Sequence, residues 1–258
     1  MNNPTTPSRL LDYQAAPDLL KQRIILVTGA GDGIGKAVAL GYARHGATVI
    51  LAGRTVPKLE QTYDQIVAEK LAEPIIYPVD LLGATLDNFH ELNNLIDEQF
   101  GRLDGLLHNA AILGQRTPLS NYRNDVWDKV IQANLSAQFL MTQALMPSLE
   151  QSDDASVIFT TSSVGRVGRA YWGAYAISKF AIEGLVQTWA DELDGLGPVR
   201  VNALNPGGTR TNMRAQAYPA EDPTELTKPE ALLPAYLWLM GPDSKGVSGQ
   251  SLDAQPKK

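Results

Sequence analysis

Short runs of β-branched and apolar residues recur along the chain, separated by longer stretches whose apolar positions repeat at helical spacing. Residues 23–28 (RIILVT) and 47–52 (ATVILA) are too short for helices and read as strands buried on both faces. The runs at 74–79, 103–108, 155–161, 199–204 and 250–254 read as further strands. Residues 34–45, 57 to about 71, 86–100, 124–149, 174–193 and about 229–240 read as helices. Pro57 suits a first helical position, where its missing N–H costs nothing.

Strand and helix alternate throughout. That order predicts an α/β fold, a Rossmann-type doubly wound domain of about seven parallel strands with helices on both faces. No internal repeat or linker divides it, so residues 22–258 are expected to form one domain, preceded by an N-terminal arm at 1–21. Residues 206–228 are rich in Pro, Thr, Asn and acidic residues and read as a long, partly ordered excursion, a usual place for function. In such a sheet ligands bind outside the carboxyl ends of the strands.

Composition narrows the function. A chain of 258 residues with 44% apolar and 19% charged residues suits a large globular core. A net charge of −6 opposes nucleic-acid binding and gives a membrane surface nothing to attract. With no cysteine, disulfides, thiolate metal sites and cysteine nucleophiles are excluded. Three scattered histidines argue against a histidine-rich metal site, and no metal is expected. No apolar run is long enough for a membrane span, and the N-terminus lacks a signal-peptide layout. A cytoplasmic protein is the expectation.

The candidate chemistry falls at the strand ends. Tyr175 and Lys179 lie four residues apart in a predicted helix and so share a face. An ammonium beside a phenol favours its ionised form, so the Tyr175 pKa is expected to fall toward the working pH. That makes Tyr175 a candidate general acid or base. After the first strand come Gly29, Gly33 and Gly35, which let a backbone approach a pyrophosphate at a helix N-terminus. Asp32 stands in that turn, near a phosphate or as the helix cap; the cap is preferred. After the second strand, where an acidic residue would hold the ribose of NAD, stands Arg54, which can pair with a 2′-phosphate. This favours NADP(H) over NAD(H). Asp80 ends the third strand, either bonding an adenine amino group or starting a turn.

Here the chain resembles a classical short-chain dehydrogenase/reductase. Residues 28–35 (TGAGDGIG) match the family's T-G-x-x-x-G-x-G, and 206–211 (PGGTRT) match P-G-x-x-x-T. Residues 108–111 (HNAA) match N-N-A-G in their central pair, with His108 and Ala111 as departures. Asn134, Ser162, Tyr175 and Lys179 fall in the family's catalytic order. The resemblance covers about residues 22–254 and is nearest to a YciK-like bacterial branch with an oxoacyl reductase label.

The resemblance implies that Tyr175 exchanges a proton with the substrate oxygen, that Ser162 holds that oxygen, and that Lys179 lowers the phenol's pKa and bonds the nicotinamide ribose. Asn134 would open its helix and fix a water that relays protons to Lys179; asparagine is a poor helix former. The implied cofactor contacts are the glycine turn with Asp32 and Ile34, then Arg54, Asp80 and Leu81, then Asn109 and Ala110. Pro206, Gly207, Thr209 and Thr211, with Tyr175 and Lys179, complete the set. His108 is expected to be packed rather than catalytic.

Residues 164–172 (VGRVGRAYW) bring two arginines and two aromatics toward the reacting centre. Either Arg166 and Arg169 serve an anionic substrate, or they are solvated or pair across a subunit contact. A homodimer or homotetramer is expected by resemblance. The sequence thus points to an NADP(H)-dependent enzyme interconverting a small-molecule carbonyl and alcohol, 3-oxoacyl reductase-like in one version. The rival is a non-catalytic nucleotide-sensing or regulatory protein on the same fold, against which the intact Asn-Ser-Tyr-Lys set counts.

Overall fold

The first strand, β1 (Ile24–Thr28), is buried along its length, and its side chains divide by the period of two that a strand imposes. Ile25 and Val27 enter one apolar cluster, Ile24 and Leu26 the other. A strand apolar on both faces needs a cover on each, and the helices supply it. This computed structural model describes residues 10–256.

The sheet contains β2 (Thr48–Gly53), β3 (Ile75–Pro78), β4 (Gly105–His108), β5 (Ser156–Thr160), β6 (Arg200–Asn205) and β7 (Ser251–Asp253). Its order is β3-β2-β1-β4-β5-β6-β7 and every pairing is parallel. The chain winds outward from β1 to β3, then returns to β4 on the other side of β1. That reversal opens a crevice at the carboxyl ends of β1 and β4.

Beside Ile25 and Val27 pack helices α1 (Gly33–Arg44), α2 (Val56–Ala68) and, from the far end of the chain, residues 232–240. Beside Ile24 and Leu26 packs α3 (Leu86–Phe100), through Phe89, Leu92 and Ile96. Thr85 and Asn88 form a capping box at its start and Gly101 ends it in the left-handed region. The stretch expected as one helix from 124 to 149 is three pieces: α4 (Asn124–Ile131), a π turn (Gln132–Ser136) and α5 (Ala137–Glu150). Helix α6 (Gly173–Glu192) covers the same face as α5. The excursion contains α7 (Asn212–Ala217), and α8 (Leu233–Met240) follows a 3-10 turn.

Of the arm expected at 1–21, residues 1–9 lie outside the described residues. The remainder docks on the domain: Leu10 and Leu20 are buried in the cluster beside α1, and the Leu20 amide donates to the His45 carbonyl at 2.9 Å. Among the described residues no helix is long and apolar enough to cross a membrane.

Candidate active site

Thr28 ends β1 and ties two strand ends together. Its Oγ1 donates to the Leu107 carbonyl and accepts from the Asn109 and Ala110 amides, at 3.0–3.2 Å. This fixes the backbone after β4, where Asn109 and Ala110 were expected. Gly29 follows at φ +71°, a conformation glycine adopts without strain. At Gly35 a Cβ would stand 2.2 Å from the Gly29 carbonyl oxygen, so no larger residue lets the turn close. Asp32 caps α1, accepting from the Gly33 amide at 2.7 Å, as preferred. Its other oxygen pairs with Lys58 at 2.5 Å and accepts from Asn212 at 3.1 Å, and Lys58 chiefly holds the carboxyl below its ordinary pKa.

From this turn a cavity of about 690 Å³ runs along the carboxyl ends of the strands to Tyr175. Gly29, Asp32, Gly33, Ile34, Arg54, Asp80 and Leu81 line its first half, with Asn109 and Ala110. Ser162, Tyr175, Lys179, Pro206, Gly207, Thr209 and Thr211 line the rest. Gly35 and Asn134 stand behind the lining. Arg54 is exposed and pairs with no carboxylate among the described residues. A narrow glycine cradle, an uncommitted guanidinium and a long cleft fit a phosphorylated dinucleotide. Asp80 makes the turn contact, accepting from the Leu82 amide at 3.2 Å. Thr209 donates within its own turn to Gly207 at 3.2 Å, and Thr211 caps α7 by accepting from the Arg214 amide.

At the other end, Tyr175 is 8% exposed, with the Trp172 ring centre 5.7 Å from its own. Burial pushes the phenol up to about 12, against the pull of its hydrogen bond with Ser162. The expected fall toward working pH is thus corrected: removal from water outweighs the Ser162 hydrogen bond and sets the direction of the shift. Lys179 is buried too, donates to the Thr160 carbonyl at 2.7 Å, and is pushed down to about 8 by burial, opposed by Glu183. Ser162, two residues past the end of β5, caps the 3-10 turn Ser163–Gly165.

Asn134 is fully buried within the π turn, so the helix does open locally at this residue. Its side chain grips the Ile112 backbone on both sides, accepting from the amide at 2.8 Å and donating to the carbonyl at 2.9 Å. His108 is packed as expected: it stacks on Phe159, with ring centres 4.6 Å apart. Thr142 donates its own hydroxyl to Gln138, so His108 Nε2 carries the proton and donates to Thr142 at 2.7 Å.

The arginine expectation needs correcting. Arg166 does not line the cavity; it pairs within the chain with Asp253 at 2.7 Å and Glu183 at 3.3 Å. Arg169 is exposed on the outer side beside Tyr171. Three residues near the site escaped the sequence reading. Glu183 had a signal, its i+4 spacing from Lys179. Lys58 and Arg116 had none: the packing of α2 against the glycine turn brings Lys58 to Asp32, and loop conformation places Arg116.

A parallel sheet with a glycine turn at its switch point and a Ser-Tyr-Lys set at the far end of the same cavity is the arrangement of an oxidoreductase. Residues 23–222 match the short chain dehydrogenase family, and the chain belongs to that family, whose members act on CH–OH and C=O groups. It is 52% identical over 246 residues to the oxidoreductase YciK of Escherichia coli (strain K12), covering 95% of this chain and 97% of that one. It is 32% identical over 240 residues to the 3-oxoacyl-[acyl-carrier-protein] reductase FabG of Thermotoga maritima, covering 90% of this chain and 95% of that one. A short chain dehydrogenase from Shigella flexneri 2a, solved in complex with NADP, superposes with a TM-score of 0.91 at 53% identity. That match covers 93% of this chain and all of the other.

Proposed function

We propose that the enzyme interconverts a carbonyl and an alcohol with NADP(H), Tyr175 acting as general acid and base. The observation that carries this reading is one continuous cavity with the uncommitted Arg54 at one end and Ser162, Tyr175 and Lys179 at the other. Bound NADP(H) supplies or accepts the hydride. In reduction Tyr175 gives its phenolic proton to the carbonyl oxygen, and Ser162 holds that oxygen by a hydrogen bond. A phenol with a pKa near 12 is protonated at neutral pH and ready to donate. As it ionises, the Lys179 ammonium favours the phenolate. In oxidation the proton returns to Tyr175.

The glycine turn with Ile34 would hold the pyrophosphate, Arg54 the 2′-phosphate, and Asp80, Leu81, Asn109 and Ala110 the adenosine. The stretch from Pro206 through Gly207 and Thr209 to Thr211, with Lys179, would hold the nicotinamide half. Asn134 braces the cavity floor through Ile112, and a water held beside it would relay protons to Lys179. A 3-oxoacyl thioester is one substrate consistent with the chemistry. We also read the enzyme as a cytoplasmic homodimer or homotetramer, supported by the absence of cysteine and by exposed Phe139, Ile177 and Phe180 on α5 and α6.

The test is NADPH oxidation against a panel of ketones, quinones and acetoacetyl thioesters, with Tyr175→Phe alongside. The variant is expected to bind NADPH normally and lose about 10²–10⁴-fold in turnover. An undiminished rate in Tyr175→Phe would remove the assigned role. Tight NADPH binding with no turnover of any carbonyl by the natural protein would favour the sensing role.

A further inference from the structure

Beyond Tyr175 the cavity wall turns apolar. Leu113, Val164 and Trp172 cluster around the phenol, and Met213 of α7 packs against them. At the rim of this wall lies Arg116, from the loop between β4 and α4. Its Cζ stands 4.3 Å from the Trp172 ring centre and 5.1 Å from that of Tyr218, and its Nη1 donates to the Ala217 carbonyl at 2.6 Å. These contacts hold the guanidinium plane in one orientation. Nε and Nη2, the pair of donors that matches two oxygens of a carboxylate or phosphate, make no hydrogen bond among the described residues.

The other arginines of this region are committed. Arg214 forms a two-pronged pair with Glu221, both bonds 2.6 Å, and Arg210 donates to the Thr224 carbonyl. Arg116 has no carboxylate partner among the described residues and is exposed. An aromatic step of 5.7 Å from Tyr175 to Trp172, then one of 4.3 Å to the guanidinium, link it to the reacting phenol.

We infer that Arg116 is the anion-binding residue of the substrate pocket, so that the natural substrate joins its carbonyl through an apolar segment to a carboxylate or phosphate. This rests on the carbonyl–alcohol reading above, while the site itself can be probed without turnover. The apolar wall takes the segment, and the aromatic rings keep the guanidinium poised at the end of it. Arg116 acts on affinity and register rather than on the proton transfer.

The experiment is calorimetric titration of octanoate and octanamide into the protein, with and without NADP⁺, repeated on Arg116→Gln. The carboxylate is expected to bind roughly tenfold tighter than the amide, a preference that falls with added salt and vanishes in the variant. In turnover, a medium-chain methyl ketone with a terminal carboxylate should show a KM about tenfold higher in Arg116→Gln. Its kcat, and both constants for the methyl ester, should change little. Equal affinity for octanoate and octanamide, or a preference surviving in the variant, overturns the inference. So does an equal loss on acid and ester, which would mean that Arg116 only braces α7. A carboxylate preference without turnover of any ketone upholds the anion site and removes the reductase reading instead.

Discussion

The ammonium of Lys179 lies 5.7 Å from the centre of the Tyr175 ring, one helical turn along α6, and both groups are buried. Burial drives their pKa values apart, the phenol up to about 12 and the ammonium down to about 8. The pair therefore rests as a neutral acid beside a cation whose charge is only marginally held. A further turn along, Glu183 is 8% exposed, accepts from Thr161 at 2.7 Å, and pairs with Arg166 at 3.3 Å. Its negative charge counters the loss that burial imposes on Lys179.

Reductive turnover is accordingly expected to fall as pH rises through about 8, where Lys179 loses its charge and no longer favours the forming phenolate. Glu183→Gln preserves shape and the Thr161 bond but removes a negative neighbour, so the Lys179 pKa drops and the fall moves to lower pH. Arg166 keeps its pair with Asp253 at 2.7 Å, so its charge stays compensated and the shift reports the loss of the Glu183 charge. Glu183 is a positioning residue in this sense, and the pH profile of kcat/KM is the readout. A uniform loss at every pH, with the fall in place, would reduce Glu183 to a packing role.

A two-pronged contact between Arg54 and a 2′-phosphate is worth about 1.5–3 kcal/mol before allowance for exposure. Arg54→Ala should therefore weaken NADPH by about tenfold or more and change NADH by less than about twofold. Fluorescence titration with the two nucleotides measures both. Equal weakening would show that Arg54 orders the turn after β2 rather than reading the phosphate.

Much of this was legible because the determinants are local. The strand runs are apolar on both faces and bounded by glycine or polar residues, so β1, β2 and β5 fall within a residue or so of the expected ends. Helix α3 matches its expected span because Thr85, Asn88 and Gly101 mark both termini chemically. What was not legible depends on distant partners or on burial. Arg166 finds Asp253 eighty-seven residues later, and Arg116 reaches Ala217 one hundred and one residues on. The spacing of Tyr175 and Lys179 correctly implied proximity, but spacing says nothing of how deeply the pair is buried, and burial decides the sign of the phenol's shift. The π turn at Asn134 shifts the helix face within an apolar stretch, a change periodicity over 124–149 does not reveal.

His108 carries the last prediction. Burial, with the Lys179 charge second, pushes its imidazole down to about 3, and Nδ1 is buried without a hydrogen-bond partner. In the unfolded chain the group titrates near 6.5. Above that pH it is neutral in both states, and the stability of the buried neutral ring is fully present. Between about 6.5 and about 3 the unfolded chain binds a proton that the folded protein refuses, so stability falls as pH drops. One such site adds about 1.4 kcal/mol per pH unit to the acid slope. His108→Asn removes the proton sink from the unfolded state while keeping a polar group for Thr142. Its unfolding free energy, measured by urea from pH 7 to pH 4, should start lower and decline less steeply than that of the natural protein. Carboxylates contribute equally to both curves and cancel in the comparison. Parallel curves would mean that the folded protein opens enough to charge His108, and the packed, neutral ring beside Phe159 would have to be given up.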